Sequence, residues 1–470
     1  MIRTLAFVIA VCCCIGLIGG TYTAIAQTRD DVTFAEEVRF GDPAVLDGRE
    51  VTFGVDYSNH LIWNFTYRFG PEDSHDTVFH FNQIPTGAMM PRELRSEVLS
   101  VYAHSGWGAS TSGSFDLNST DYADMFRTVA AMTPNGGRNE MNLKLKDFMD
   151  FHVLNFDLDY QSDRYFASES VDQFVLVSHP DDTGDSPSYD VINDLFRFPV
   201  QEDDIVTVSV WVNQAGGVTD MNYSTASNYT ISLVASATDQ GIYCIPVYRN
   251  EDTGATIPGN YAQGMGLYFI PWKAYQDPSI ISSTKTQVML DGEGAKNILP
   301  LPGSTSALGL TIDEESGNVW LLTLELGQYV LTRLSLDTME MLDRFPLMEQ
   351  DPAVGGPEWK WILREGLIMV YAGGELALVT DSETPSLEFI TPVGETADGL
   401  YYLSRETTAM VYEDGRLYLA DTPYYNNHLN MMVFDASGPL YWGNYFCSLY
   451  ECNRPGGEAL TPYYDMTGLK

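Results

Sequence analysis

The residues of this chain best suited to chemistry fall into oxygen-rich acidic turns and aromatic runs mixed with amides. Asp116, Asn118 and Asp121 share one short stretch, and Asp181, Asp182 and Asp185 share another. Hard oxygen donors at that density suit calcium, although neither stretch completes an EF-hand loop. No other cofactor is expected. Tyr424, Tyr425, Asn426, Asn427 and His428 form one aromatic run, and Trp272, Lys273, Tyr275 and Gln276 another. Flat rings offer apolar area at low rotamer cost while amides orient a polar ligand. Trp272, Tyr275, Tyr424, Tyr425, Asn426 and His428 are therefore the candidate binding residues, for a carbohydrate, a peptide or an envelope protein. The alternative is that these rings pack loops against neighbouring strands.

Signatures of covalent catalysis are missing. Gly108-Ala109-Ser110-Thr111-Ser112-Gly113 misses the G-x-S-x-G spacing by one residue, and the histidines are scattered with no H-E-x-x-H helix. Carboxylates are plentiful, but a glycosidase pair must sit about 5 to 10 Å apart, which only the fold can arrange. The expectation is a binding module, with a hydrolase or lyase acting on extracellular polysaccharide as the alternative.

One short motif stands apart. His179-Pro180-Asp181-Asp182 directly follows the apolar run Phe174 to Val177. It resembles the His-Pro-Asp-Asp motif of the zinc-dependent N-acetylglucosaminyl deacetylase family. That resemblance implies His179 and Asp182 as zinc ligands and Asp181 as the base that activates water. The chain departs from the family pattern, with Thr183 where an acidic residue is expected, no alternating βα pattern and no distal histidine pair. An acidic loop capping a strand is the favoured reading.

The whole chain sets the context for these groups. Its 470 residues carry Lys+Arg 25 against Asp+Glu 64, a formal net charge of -39. Such a surface repels nucleic acid phosphate and anionic lipid, leaving neutral, cationic or metal-bridged partners. Met1 to Arg3, the apolar run Leu5 to Ile18 and the small residues Ala24 and Ala26 have the layout of a secretory signal peptide over residues 1–26, cut before Gln27. An uncleaved anchor is the alternative, because no charge lies between Thr4 and Thr28 and about 20 apolar residues span a bilayer. Either way the remainder is expected outside the cytoplasm, extracellular or at the cell surface, touching membrane only through that segment. In an oxidising compartment Cys447 and Cys452 are close enough for a loop disulfide, leaving Cys244 single. Asn64, Asn118, Asn222 and Asn228 begin N-x-S/T sites that matter only in a glycosylating host.

The elements that must position these groups are mostly strands. Leu61, Trp63, Phe65, Tyr67 and Phe69 alternate with polar residues at period two, and Val51, Phe53, Val55 and Tyr57 repeat the pattern. One helix is expected over Asp121 to Met132, with Tyr122, Met125, Val129 and Met132 near one face. The second half repeats. Leu308 to Leu324, Trp359 to Tyr371 and Met410 to Ala420 each read as strand, tight turn and strand, with turn glycines Gly317, Gly366 and Gly415 at a constant interval of 49 residues (366 − 317 and 415 − 366). A third strand ending in Asp337, Asp381 or Asp435 follows each, and a fourth follows in Met339 to Phe345 and Pro439 to Phe446. A weaker copy precedes them around Gly266 to Ile270 and Thr286 to Asp291.

This repeat resembles the general β-propeller blade, clearest over residues 240–446, without the Gly-His and Trp-Asp signatures of WD40 blades. The resemblance implies an all-β protein: one propeller of about six to eight four-stranded blades with loop insertions, spanning 27–470. The alternative is an N-terminal β domain ending near residue 200, with Pro180 to Tyr189 or Gln201 to Asp204 as linker, followed by a smaller propeller.

Overall fold

The computed structural model describes residues 15–17, 19–20, 23, 33–57, 61–71, 73–81, 99–105, 110–112, 123–152, 154–160, 174–176, 187–226, 229–238, 240–250, 254–274, 286–313, 316–350, 359–364, 366–401, 403, 408–421, 428–448 and 464–470. The fold is all-β and propeller-like, with most strands in antiparallel sheets of about four. Two compact units divide the chain: one joins Met1–Ser96 to Trp359–Lys470, and the other is Glu97–Glu358. Among the described residues no helix is long and apolar enough to cross a membrane.

The first unit layers three sheets. Strands Trp359–Arg364, Leu367–Ala372, Glu375–Thr380 and Leu387–Pro392 form a simple meander, the 359–392 sheet. Strands Ala409–Glu413, Arg416–Asp421, His428–Asp435 and Gly438–Cys447 form the next, the 409–447 sheet. Phe34–Gly41 adds a fifth strand to its outer edge, pairing with Gly438–Cys447. In the third sheet the C-terminal strand Tyr464–Leu469 pairs with Glu50–Tyr57, which continues through Leu61–Arg68 to Ser74–Phe81. Phe34–Gly41 and Tyr464–Leu469 therefore complete sheets whose other strands lie far away in sequence.

The 409–447 sheet is apolar on both faces, which is why its strands read as nearly continuous hydrophobic runs. Ala420, Met431, Tyr441 and Tyr445 pack toward Phe53, Phe65 and Tyr67. Met410, Leu419, Met432 and Phe434 pack toward Met369, Leu376 and Leu378 of the 359–392 sheet. Phe34 carries the added fifth strand into the first of these cores, edge-on to Phe53, Phe65 and Tyr67 at 5.8, 5.2 and 5.1 Å.

The second unit holds another regular meander, Thr305–Asp313, Asn318–Glu325, Gln328–Ser335 and Met341–Glu349, the 305–349 sheet. Upstream of it the order is less regular. Tyr229–Ala237, Gly241–Asn250 and Gly266–Ala274 are consecutive neighbours, but Gly266–Ala274 then pairs with both Lys296–Pro300 and Thr286–Leu290, and the latter takes Phe174–Leu176 in parallel. A further sheet, ordered Ser110–Ser112, Val218–Ala226, Ile205–Val212 and Arg138–Lys144, carries helix α1 (Ala123–Ala131). Met125, Phe126 and Val129 of α1 are buried on Val206, Val208 and Val210. Met132, expected on that buried face, is half exposed instead, because the helix ends one residue before it. A second helix, α2 (Pro187–Leu195), occupies part of the stretch read as a linker; a proline at the first position of a helix removes no intrahelical hydrogen bond.

The repeated turn glycines sit where the 49-residue interval places them. Gly317, Gly366 and Gly415 lie between the first and second strands of the three meanders, at φ of 67°, 76° and 75°. Only the left-handed region closes such tight turns with the right twist, and glycine enters it without a Cβ penalty.

Candidate functional site

The 305–349 and 359–392 sheets join their second and third strands through two residues, Leu326-Gly327 and Gly373-Gly374. The 409–447 sheet uses residues 422–427 for the same connection, between Asp421 and His428. The base of that connection is polar and buried. In an antiparallel sheet, directly paired residues share a face. Asp421 pairs with Asn430, Asn430 with Asn444, and Asn444 with Glu37 of the added fifth strand. A polar row thus crosses the sheet on the face that otherwise presents Met410, Leu419, Met432 and Phe434.

Each member of the row has a defined setting. Asp421 and Thr408 are fully buried, and the Thr408 hydroxyl lies 3.1 Å from Asp421 Oδ1 as its donor. The Thr408 carbonyl accepts from Arg364 Nη1 at 3.0 Å, while Lys360 Nζ donates to the carbonyl of Leu403. Asn430 is 3% exposed and its Oδ1 accepts from Trp442 Nε1 at 2.8 Å. Asn444 is 5% exposed, and its buried Oδ1 has no hydrogen-bond partner among the described residues. His428 closes the far stem with its ring 5.0 Å from that of Phe446. Burial pushes the imidazole pKa down to about 4, helped by the charge of Arg39 and opposed by that of Glu37.

Of the binding residues expected from sequence, His428 and Trp272 are described, and they lie in different units. Trp272 belongs to the strand Gly266–Ala274 and not to a loop. It pairs with Leu290, and its indole N–H donates to the Thr238 carbonyl at 2.9 Å. Lys273 is on the same strand, 3.8 Å from Asp291. The strand runs on past Ile270 because Trp272 to Ala274 pair with Leu290 to Val288 and the Trp272 N–H donates to the Gln240 carbonyl, which satisfies the backbone there. Tyr275, Tyr424, Tyr425 and Asn426 lie outside the described residues, as do His179, Asp181, Asp182, Asp185 and Cys452. Cys447 is buried at the end of Gly438–Cys447. Among the described residues no three of His, Cys, Asp or Glu gather around a point where a metal could sit.

A second polar cluster, invisible in the sequence, lies in the other unit. His152, Asp204 and Tyr229 are each at most 9% exposed. The Tyr229 hydroxyl donates to Asp204 Oδ2 and lies 2.7 Å from His152 Nε2, which is itself 3.3 Å from Asp204 Oδ2. With the tyrosine proton given to Asp204, Nε2 must carry the hydrogen that fills the Tyr229 oxygen. The Gln201 backbone N–H adds a 2.7 Å bond to Asp204. Burial pushes the Asp204 carboxyl up, but the bonds from His152, Tyr229 and Gln201 outweigh it and hold it below the ordinary carboxylate value. Burial also raises the Tyr229 phenol, reinforced by Asp204. Residues 52 positions apart in sequence (204 − 152) gave no spacing signal. By contrast, Asn430 and Asn444 interrupt apolar runs, Leu-Asn-Met-Met and Trp-Gly-Asn-Tyr, a sign that was legible.

No protein-family model matches this chain, and no curated protein matches it by sequence. Among solved structures, one similar chain is a 6-phosphogluconolactonase candidate from Bacteroides fragilis, at 9% identity over 85% of this chain and 98% of that one, with a TM-score of 0.29. Another is a β-propeller domain from Myceliophteria thermophila, at 10% identity over 50% and 80% of the two chains, with a TM-score of 0.21. A second 6-phosphogluconolactonase candidate, from Bacteroides uniformis, matches at 10% identity over 53% and 94%, with a TM-score of 0.22. At these levels of likeness no activity carries over, and the bladed description rests on the chain's own strand pairing.

Proposed function

We propose that this chain is an exported binding module whose 422–427 connection captures a carbohydrate or peptide. The observation that carries the reading is the contrast between equivalent connections. Two residues close this hairpin in the 305–349 and 359–392 sheets, so the strands do not require the longer Thr-Pro-Tyr-Tyr-Asn-Asn segment of the 409–447 sheet. Binding residues concentrate on such loops when a rigid scaffold holds their ends, and here Asp421 and His428 both belong to paired strands. Tyrosine and asparagine together supply apolar area and adaptable hydrogen bonds. The charge of -39 favours neutral or cationic ligands.

The test uses purified protein on an array of neutral oligosaccharides and short peptides. Replacing Tyr424 and Tyr425 together by Ala should abolish capture and leave Tm within about 2 °C of wild type. Unchanged capture removes the loop from consideration, and a collapse of Tm assigns the rings to packing. Export is checked separately, by N-terminal sequencing of protein recovered outside the cell, which should begin at Gln27.

A further inference from the structure

We propose that the buried cluster His152–Asp204–Tyr229 is a latch at the neck of a hinged body, closed in this structure and able to open without unfolding either side of it. The body is the sheet that carries α1, together with that helix. Its core is drawn from residues 125–149 and 200–223, with Val206, Val208 and Val210 packed on Met125, Phe126 and Val129. The neighbouring core of Phe196, Phe198, Tyr248 and Tyr268 belongs to the same unit of the chain and shares no residue with it. The chain passes between these two cores from Lys144 to Phe151, from Pro199 to Ile205 and from Ala226 to Tyr229. Each passage brings one member of the cluster. His152 lies at the end of the first, Asp204 closes the second, and Tyr229 begins the strand reached by the third. Gln201 adds to the second passage, its backbone N–H on Asp204 and its side chain on Tyr248, whose hydroxyl donates to the Pro199 carbonyl at 2.8 Å. Backbone bonds from the Leu145 N–H to the Asp204 carbonyl and from the Val200 N–H to the Asp150 carbonyl, both 3.0 Å, join the first two passages directly.

The chemistry of this junction favours a joint with two positions over a continuous core. Within either core, parting the layers exposes apolar area to water, and the cost grows with every side chain uncovered. What ties the three passages to one another is hydrogen bonding, with one edge-on contact between the His152 and Tyr229 rings at 5.4 Å. Water replaces a hydrogen bond at small net cost. The bonds are also directional, and a half-broken set leaves buried groups unpaired, so they hold together or release together. Such an opening exposes less surface than unfolding either body, which is the condition for a local opening below the global unfolding free energy. At the rim of the neck Lys146 reaches the Val200 carbonyl at 3.3 Å and Glu202 at 3.4 Å, in contact with water throughout.

The test is native-state hydrogen exchange on the full chain, followed by mass spectrometry in rising urea below the unfolding transition. Peptides over residues 145–152 and 199–204 report the neck, and peptides over 206–211 and 241–247 report the two sheets on either side. In wild type the neck should exchange faster than both sheets and with a weak dependence on urea, because the opening exposes little surface. Tyr229→Phe, with Asp204→Asn as a second variant, should speed exchange at the neck about tenfold. Leu321→Ala is the control. It should speed the 241–247 peptide, whose Ile245 and Val247 share a core with Leu321, and leave the neck at the wild-type rate. The proposal is overturned if the neck shares the urea dependence of the sheets, or if Leu321→Ala speeds the neck as much as Tyr229→Phe does. The wild-type urea dependence decides the matter even where a variant fails to fold.

Discussion

His152 Nε2 lies 2.7 Å from the Tyr229 hydroxyl, which donates in turn to Asp204, so three buried polar side chains from separate strands and turns satisfy one another. The cluster ties Phe151–His152 and the turn before Ile205–Val212 to the start of Tyr229–Ala237. Removing its central hydroxyl leaves two buried groups short of a partner. Tyr229→Phe should therefore cost about 1–3 kcal/mol at neutral pH, a loss of several degrees in Tm. Calorimetry of the variant checks this, and a Tm within a degree of wild type would show that the cluster contributes nothing.

Asp204 makes the same cluster sensitive to acid in a defined direction. Its folded pKa lies below the ordinary aspartate value of 3.8, so the unfolded chain takes up the proton first. The resulting stabilisation is fully present above about pH 4 and is lost as pH falls through the lower folded value. Urea unfolding of wild type and Asp204→Asn should differ at pH 6 and converge in strong acid. A gap that does not narrow on acidification contradicts the assignment.

His428 titrates in a different window. Its folded pKa is about 4 against 6.5 for the free side chain, so acidification protonates the unfolded chain while the folded imidazole stays neutral. Stability should fall as pH drops from 6.5 to 4 and then level off, with the effect tempered because the ring is not fully buried. His428→Phe should flatten the Tm profile across that interval. Persistence of the slope in the variant would place its origin elsewhere.

Turn geometry predicts opposite signs for two substitutions. Gly415 follows Asp414, and both have positive φ, at 75° and 51°. Gly415→Ala should cost about 1 kcal/mol, since a Cβ meets no neighbour but the left-handed backbone penalises it. Leu326 occupies the same region at φ 52° and is 94% exposed, so it incurs the strain without burial. Leu326→Gly should be stabilising by a comparable amount, read as a shift of the urea midpoint. A loss of stability would mean that the leucine is held by contacts of its own.

Cys244 is fully buried, and burial raises its thiol pKa well above the ordinary range. A thiol in that state is both shielded and protonated, hence unreactive. Native iodoacetamide treatment should leave it unmodified, with full labelling after denaturation. Labelling of the folded protein would show that the strand Gly241–Asn250 opens.

Sequence alone settled what depends on neighbours along the chain. Strand periodicity, the helix expected over Asp121 to Met132, and the three turn glycines follow from local sterics and apolar alternation, and the structure has a helix at Ala123–Ala131 and the glycines in the expected turns. The aromatic character of residues 422–427 was equally plain. What no local rule could supply was pairing between distant segments. Phe34–Gly41 completes a sheet built from residues 409–447, and Tyr464–Leu469 completes one begun at Glu50, because an unpaired edge is satisfied by whichever strand the folded chain brings to it. The same reason moved Trp272 from an expected loop into a strand paired on both edges. It also gathered His152, Asp204 and Tyr229, and aligned Asp421 with Asn430 and Asn444. A buried polar group finds its partner through tertiary contact, and spacing along the chain carries no record of that encounter.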